Sequence, residues 1–393
     1  MRRDRSLSSP AKTAAFLLGA SLLGAAGPAA AKDMGFAVTW FMPAVYFGDG
    51  DCEGNETQKT MDFRAVLLKK GIKPAVIDKL MENTFSQDFS HALLDRGANG
   101  ENVCAFPESA PEPNPPNKTV IGKYAYGMDL DGSIDKSHPA PKTCAHDQFE
   151  GPRSGLNAGL KGVDNQMYRV VGCQGGIRGA RGTDGFSYSY QVERMRAEGM
   201  RTYLVELLDV DDLRNDDDVT VAIYVGADPL IQDARGEVQP DSTQRIAADP
   251  RWHNRIKGKI KDGVLSTGTF DFHLVFALMG VPTYDIKDAR LQIEFTPDGN
   301  LKGLVGGYVD WKLMYYSMAK SGVQHEVATS GNCPGLYYAF KRNADGYPDE
   351  TGQCTAISTA YAIEATPAFL IHPPNLEKIS SATAAPRTVG SAE

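Results

Sequence analysis

Thr202-Tyr203-Leu204-Val205-Glu206-Leu207-Leu208, an acidic turn over Asp209 to Asp218, then Val219-Thr220-Val221-Ala222-Ile223-Tyr224-Val225: this stretch decides the fold class. Both apolar runs are rich in β-branched and aromatic residues, and the turn between them is short and charged. Two adjacent antiparallel strands follow from that pattern. Further along, Lys257 to Ile260 and Gly263 to Thr267 flank Asp262-Gly263, a hairpin turn signal. Phe270 to Leu278 alternates Phe270, Phe272, Leu274 and Phe276 on one side. Arg290 to Thr296 and Leu301 to Tyr308 flank Pro297-Asp298-Gly299-Asn300, a second hairpin signal. Roughly seven short strands with turn chemistry between them predict a mainly β chain with some α. The expected body is an antiparallel β-sandwich, jelly-roll-like, with a barrel as the alternative.

Upstream of this body the chain changes character. Phe36 to Met42 reads as a strand, continued by Ala44 to Phe47. Met61 to Lys70 and Pro74 to Met81 read as short helices, the first stopping at Gly71, the second with Pro74 in its first turn. Phe106 to Lys118 holds five prolines and reads as a stiff extended linker. Thr119 to Tyr126 reads as a strand, Phe186 to Glu198 as a helix, Tyr308 to Lys320 as another helix, and Ala356 to Ala362 as a last element. The organisation expected is a signal peptide over 1–31, a helical N-terminal region over 32–118, the β body over 119–372 and a disordered tail over 373–393. A loop-rich knot at 127–173 joins the two ordered parts.

The expected signal peptide rests on Arg2, Arg3 and Arg5, an apolar run from Ala14 to Ala26, and the small residues Ala29-Ala30-Ala31. The apolar run is too short to span a bilayer, and no later stretch is apolar enough for a transmembrane segment. A periplasmic or secreted location follows as an expectation. The whole chain carries a formal charge of −8, and residues 1–31 hold four basic side chains against one acidic, so the mature chain is more acidic still. Such a surface repels nucleic acid and anionic lipid. The partners that remain are a small molecule, a glycan or an envelope protein.

All six cysteines, 52, 104, 144, 173, 333 and 354, lie beyond the signal segment. Export and an even count predict three disulfides. Order along the chain favours Cys52–Cys104, Cys144–Cys173 and Cys333–Cys354, each closing a short segment. No C-x-x-C is present, which argues against a zinc ribbon or a thioredoxin site.

Asp129, Asp131 and Asp135 place three carboxylates within seven residues around Gly132. The run resembles the acidic D-x-D-G-x-x-D loops of secreted calcium-binding repeats, and that resemblance covers only this stretch. It implies calcium held by the three aspartates, since calcium takes flexible oxygen coordination. Alternatively His138, His146 and Asp147 join Asp129 or Asp131 around a transition metal, which imidazole favours. A Cys144–Cys173 bridge would bring the turn Gly162 to Gln166, with Asp164 and Asn165, close to His146. A metal-assisted hydrolase acting on a glycan or ester would need Asp131, His146 and Asp164 to converge.

Other chemistry finds little footing. Asp49-Gly50-Asp51-Cys52-Glu53-Gly54 opens like an EF-hand loop, but its twelfth position is Thr60, where a bidentate Glu is needed. Gly175 to Gly182 is glycine-rich but lacks the Gly-Lys-Ser/Thr ending of a phosphate cradle. No G-x-S-x-G occurs. Trp252, Tyr316, Tyr337, Tyr338 and Tyr347 are conceivable sugar platforms, although a β core also needs aromatics. The function expected is therefore a ligand- or partner-binding exported protein with a calcium-stabilised acidic loop, and the alternative is a secreted hydrolase using carboxylates and His146.

Overall fold

The computed structural model describes residues 32–84, 86–178, 201–274, 284–320, 329 and 331–374. The segment 1–31, the expected helix over Phe186–Glu198 and the tail from residue 375 lie outside the described residues.

Among the described residues eleven strands are formed: β1 (Lys32–Pro43), β2 (Arg201–Val210), β3 (Asp216–Pro229), β4 (Ser242–Arg245), β5 (Asn254–Lys261), β6 (Val264–Thr267), β7 (Phe270–Leu274), β8 (Tyr284–Phe295), β9 (Leu301–Asp310), β10 (Gly346–Pro348) and β11 (Cys354–Ile371). Eight of them pair antiparallel in the order β1, β2, β3, β5, β6, β8, β9, β11, and β11 pairs back onto β1. The sheet is thus a closed barrel, and the β-sandwich expectation is overturned. The physical reason is visible at β1. It pairs with β2 between Lys32 and Ala37 and with β11 between Phe36 and Pro43, so one strand closes the sheet, with a bulge between Val38 and Trp40 in the β11 pairing. Further bulges in β2, β3 and β8 bend the sheet around. Alternating hydrophobicity is common to both architectures, so the pattern alone favours neither.

Inward-facing side chains fill the barrel. Phe36, Val38 and Phe41 of β1 meet Val205, Val221, Leu291, Val305 and Tyr361 in one buried cluster. Phe41 stacks on Tyr361 at 5.1 Å and meets Tyr203 edge-on at 5.5 Å. The interior is a packed core, as expected for a barrel of eight strands. The same cluster continues into helices α1 (Phe63–Lys69), α2 (Pro74–Met81) and α3 (Gln87–Leu94) through Leu67, Ile77, Phe89 and Leu93. Of the described helices, α4 (Gln166–Val171) lies at the end of the loop-rich region and α5 (Gly175–Arg178) just after it, α6 (Trp311–Lys320) follows β9, and α7 (Cys333–Asn343) precedes β10. The helices expected at 61–81 and 308–320 are present, the latter over Trp311–Lys320; α3, α4, α5 and α7 are additions, and Thr119 to Tyr126 forms no strand. No described helix is long and apolar enough to cross a membrane.

Three disulfides form, as expected, but all three pairings differ from those expected: Cys52–Cys173, Cys104–Cys333 and Cys144–Cys354. Chain order misleads because the segments fold across one another. The Tyr315 hydroxyl donates to the Cys104 carbonyl at 3.0 Å, and Glu112 pairs with Arg342, so the proline-rich stretch runs along α6 and α7. That places Cys104 against the start of α7. Cys144–Cys354 therefore ties the 127–173 loops to β11, Cys104–Cys333 ties the helical region to α7, and Cys52–Cys173 joins the segment after β1 to the end of those loops.

Candidate functional site

The loop-rich region lies on the outer face of β9 and β11. Met128 and Leu130 pack on Leu304, Tyr308, Ala356 and Ala360, the outward positions of those two strands. Arg290, on β8, clamps the loop there: its guanidinium donates to the carbonyls of Asp129 and Leu130 at 2.7 and 2.8 Å. Two bridges, Met128 with Asp164 and Phe149 with Val163, bring the 162–166 turn alongside. Gly162 is required in that turn. Its φ is +71°, and an added Cβ would lie 2.3 Å from the Ser133 carbonyl oxygen.

His146 arrives from a different direction than expected. Cys144 is bonded to Cys354 at the start of β11, and the Cys144 N–H donates to the Asp345 carbonyl at 2.8 Å. The residue two positions on, His146, is thereby turned towards Asp164 and Asp345. Its ring Nδ1 lies 2.8 Å from the Cys144 carbonyl oxygen. A carbonyl only accepts, so Nδ1 carries a proton, and Nε2 is the atom offered to the site. Nε2 is 2.9 Å from Asp164 Oδ1 and 3.7 Å from Asp345 Oδ2.

Each carboxylate is oriented by backbone. Asp164 Oδ2 accepts from the N–H groups of Leu130 and Asp131, at 2.7 and 3.3 Å. Asp345 Oδ1 accepts from the Ser358 N–H at 2.6 Å. Asp131 Oδ1 accepts from the Ser133 N–H at 2.7 Å. The second oxygens of Asp131 and Asp345, and the Tyr308 hydroxyl, are buried with no hydrogen-bond partner. Ligand atoms of Asp131, His146 and Asp164 all lie within 4.8 Å of one another. Asp164 and Asp345 are fully buried, and the His146 side chain is 7 % exposed.

The electrostatics are those of crowded acids around one base. Burial works against the His146 imidazolium, but the bond to Asp164 and the charge of Asp345 outweigh it and raise its pKa to about 9. Burial raises Asp345 to about 7, against the pull of His146 and Ser358. Burial also raises Asp164. The Tyr308 hydroxyl is pushed far up by burial and then by the facing carboxylates of Asp345, Asp164 and Asp131.

Of the residues expected to form a site, the structure unites Asp131, His146 and Asp164. It does not gather Asp129, Asp131 and Asp135. Asp129 accepts from the Gly132 N–H, and Asp135 is exposed and accepts from the Ser137 N–H at 2.8 Å. Asp147 points away to Lys136 at 2.8 Å, which holds its carboxyl low. Asn165 caps α4, accepting from the Tyr168 N–H and donating to the carbonyls of Ala44 and Tyr126. Asp345 and Tyr308 escaped sequence reading. Asp345-Gly346 reads as an ordinary turn, and only the Cys144–Cys354 pairing would have linked it to His146.

The set offers one imidazole nitrogen, three carboxylates and a phenol oxygen. It can hold a divalent cation or share protons among its members. Compared with known protein families, curated proteins and solved structures, the chain matches none.

Proposed function

We propose that the protein is a non-enzymatic, extracytoplasmic metal-binding barrel, exported by residues 1–31 and stapled by its three disulfides. A divalent cation bound by His146 Nε2, Asp131 and Asp164, with Asp345 beside them, would pin the 127–164 loops to the barrel wall. The observation that carries this reading is the pair of buried carboxylate oxygens, Asp131 Oδ2 and Asp345 Oδ2, left without a hydrogen bond beside His146. A buried acceptor without a donor is costly, and a cation removes that cost. The proton fixed on Nδ1 by a carbonyl is the arrangement that orients metal-binding histidines. The imidazole in the set favours zinc over calcium, and the carboxylates beside it suit manganese as well.

The convergence of Asp131, His146 and Asp164 also meets the first requirement of a metal-assisted hydrolase. Burial argues for a structural role, because a catalytic metal keeps a position open to substrate. Calorimetric titration of the chelator-stripped mature protein with Zn²⁺, Mn²⁺ and Ca²⁺ tests the proposal. One site is expected, tighter for Zn²⁺ or Mn²⁺ than for Ca²⁺, with a raised melting temperature. Absence of heat and of any thermal shift with all three ions, or binding undiminished in His146→Ala, would overturn it.

A further inference from the structure

We infer that a groove on the outer wall of the barrel, separate from the acidic cluster, is a saccharide-binding site for neutral sugars. The groove has a volume of about 430 Å³ and lies over β1, β8, β9 and β11, with the 154–156 turn forming one side. That volume falls in the range of sites for small molecules.

Its floor carries an ordered row. In register, Trp40 of β1 sits beside Glu364 of β11, Glu364 beside Lys302 of β9, and Lys302 beside Glu294 of β8. Neighbouring strands are about 4.8 Å apart, so the row is a fixed ladder of acceptor, donor and acceptor beginning at an indole. Lys302 Nζ is 3.7 Å from Glu294 Oε2, which leaves Glu364 as the acid nearest Trp40. Phe47 and Tyr126, 40 % and 38 % exposed, complete the lining.

This combination selects among ligand classes. A sugar ring presents a C–H face that lies on an aromatic ring and hydroxyls at its edge that both donate and accept. The row supplies carboxylates for the first demand and an ammonium for the second. A lipid tail would leave two carboxylates and an ammonium desolvated without partners. A simple organic cation would meet Lys302 in the middle of the row. A peptide adding as a strand finds no free backbone, because β9 and β11 are paired on both sides here. With two acids to one base, the row repels acidic sugars.

The claim does not require the metal, so its test is run on both stripped and metal-loaded mature protein. Chitotriose and cellotriose serve as neutral probes and trigalacturonate as the acidic one, followed by calorimetry and by tryptophan fluorescence. Saturable binding of at least one neutral probe is expected, with none for trigalacturonate. Glu364→Gln, an exposed position whose change leaves packing intact, should weaken binding about ten-fold, and Trp40→Ala at least as much. Failure of both neutral probes at millimolar concentration, equal binding of trigalacturonate, or unchanged affinity in Glu364→Gln overturns the assignment.

Discussion

Asp345 Oδ2 stands 3.7 Å from His146 Nε2 and has no hydrogen bond of its own, while Asp345 Oδ1 is fixed by the Ser358 N–H. One carboxylate is thus anchored to β11 by one oxygen and turned towards the loop cluster by the other. Asp345→Asn keeps the shape and the Ser358 bond but removes the charge. Zinc or manganese affinity should fall about 10- to 100-fold, as when a supporting carboxylate is lost near a metal. Calorimetry on the folded variant checks this, and unchanged affinity would show that Asp345 serves only β11.

The metal-free protein should lose stability as pH rises. His146 has a folded pKa of about 9 against an ordinary 6.5, so its stabilisation is complete below 6.5 and lost as pH rises through 9. Asp345 is likewise raised, from 3.8 to about 7, so the fold favours its protonated form and loses that gain on passing 7. The His146 contribution alone is on the order of 3 kcal/mol. Metal binding displaces protons from the same groups, so the ion's stabilisation should grow over the same interval. Melting curves of stripped and loaded protein between neutral pH and pH 9 should diverge. Parallel curves would place the protons elsewhere.

Much of this architecture was legible from sequence, and what was not has a physical cause. The strands at 202–225 and 290–308 declare themselves because alternation and turn residues are local properties. Closure of the sheet is a pairing of β1 with β11, at opposite ends of the chain, and no local pattern reports it. The cysteine pairs fail for the same reason, since Cys104 and Cys333 meet only after α6 and α7 dock. Residue type and proximity single out Asp131, His146 and Asp164, but the bridge that brings His146 to them is Cys144–Cys354 and not Cys144–Cys173. Asp345 sits in an Asp-Gly turn that no local pattern marks, and only the Cys144–Cys354 bond links it to His146.

That bridge makes a local prediction. Removing it as Cys144→Ser/Cys354→Ser should cost about 2–5 kcal/mol and weaken metal binding, because His146 is held two residues away. Removing Cys104–Cys333 should cost a similar amount of stability and leave metal affinity unchanged, since that pair ties α7 to the helical region. Denaturation and calorimetry on both double variants separate the two effects. Equal loss of affinity in both would mean that stability alone governs the site.

The barrel wall offers a test independent of any ligand. An ideal Cβ on Gly303 would lie 2.0 Å from the Gln292 carbonyl oxygen on the neighbouring strand, a backbone atom that cannot move aside without separating β8 from β9. Gln292 is held from its other side as well, its side chain accepting from Asn157 Nδ2 at 2.6 Å. Gly303→Ala should therefore destabilise the protein by at least about 1–3 kcal/mol, the usual cost of forcing atoms into packed space. Gly268 has nothing within 4 Å of its Cβ position and serves as the control, so Gly268→Ala should be neutral or slightly stabilising. A lower denaturation midpoint for Gly303→Ala with the Gly268→Ala midpoint unchanged is the expected result. Equal midpoints for the two variants would mean that the β8–β9 contact is looser than a closed barrel requires.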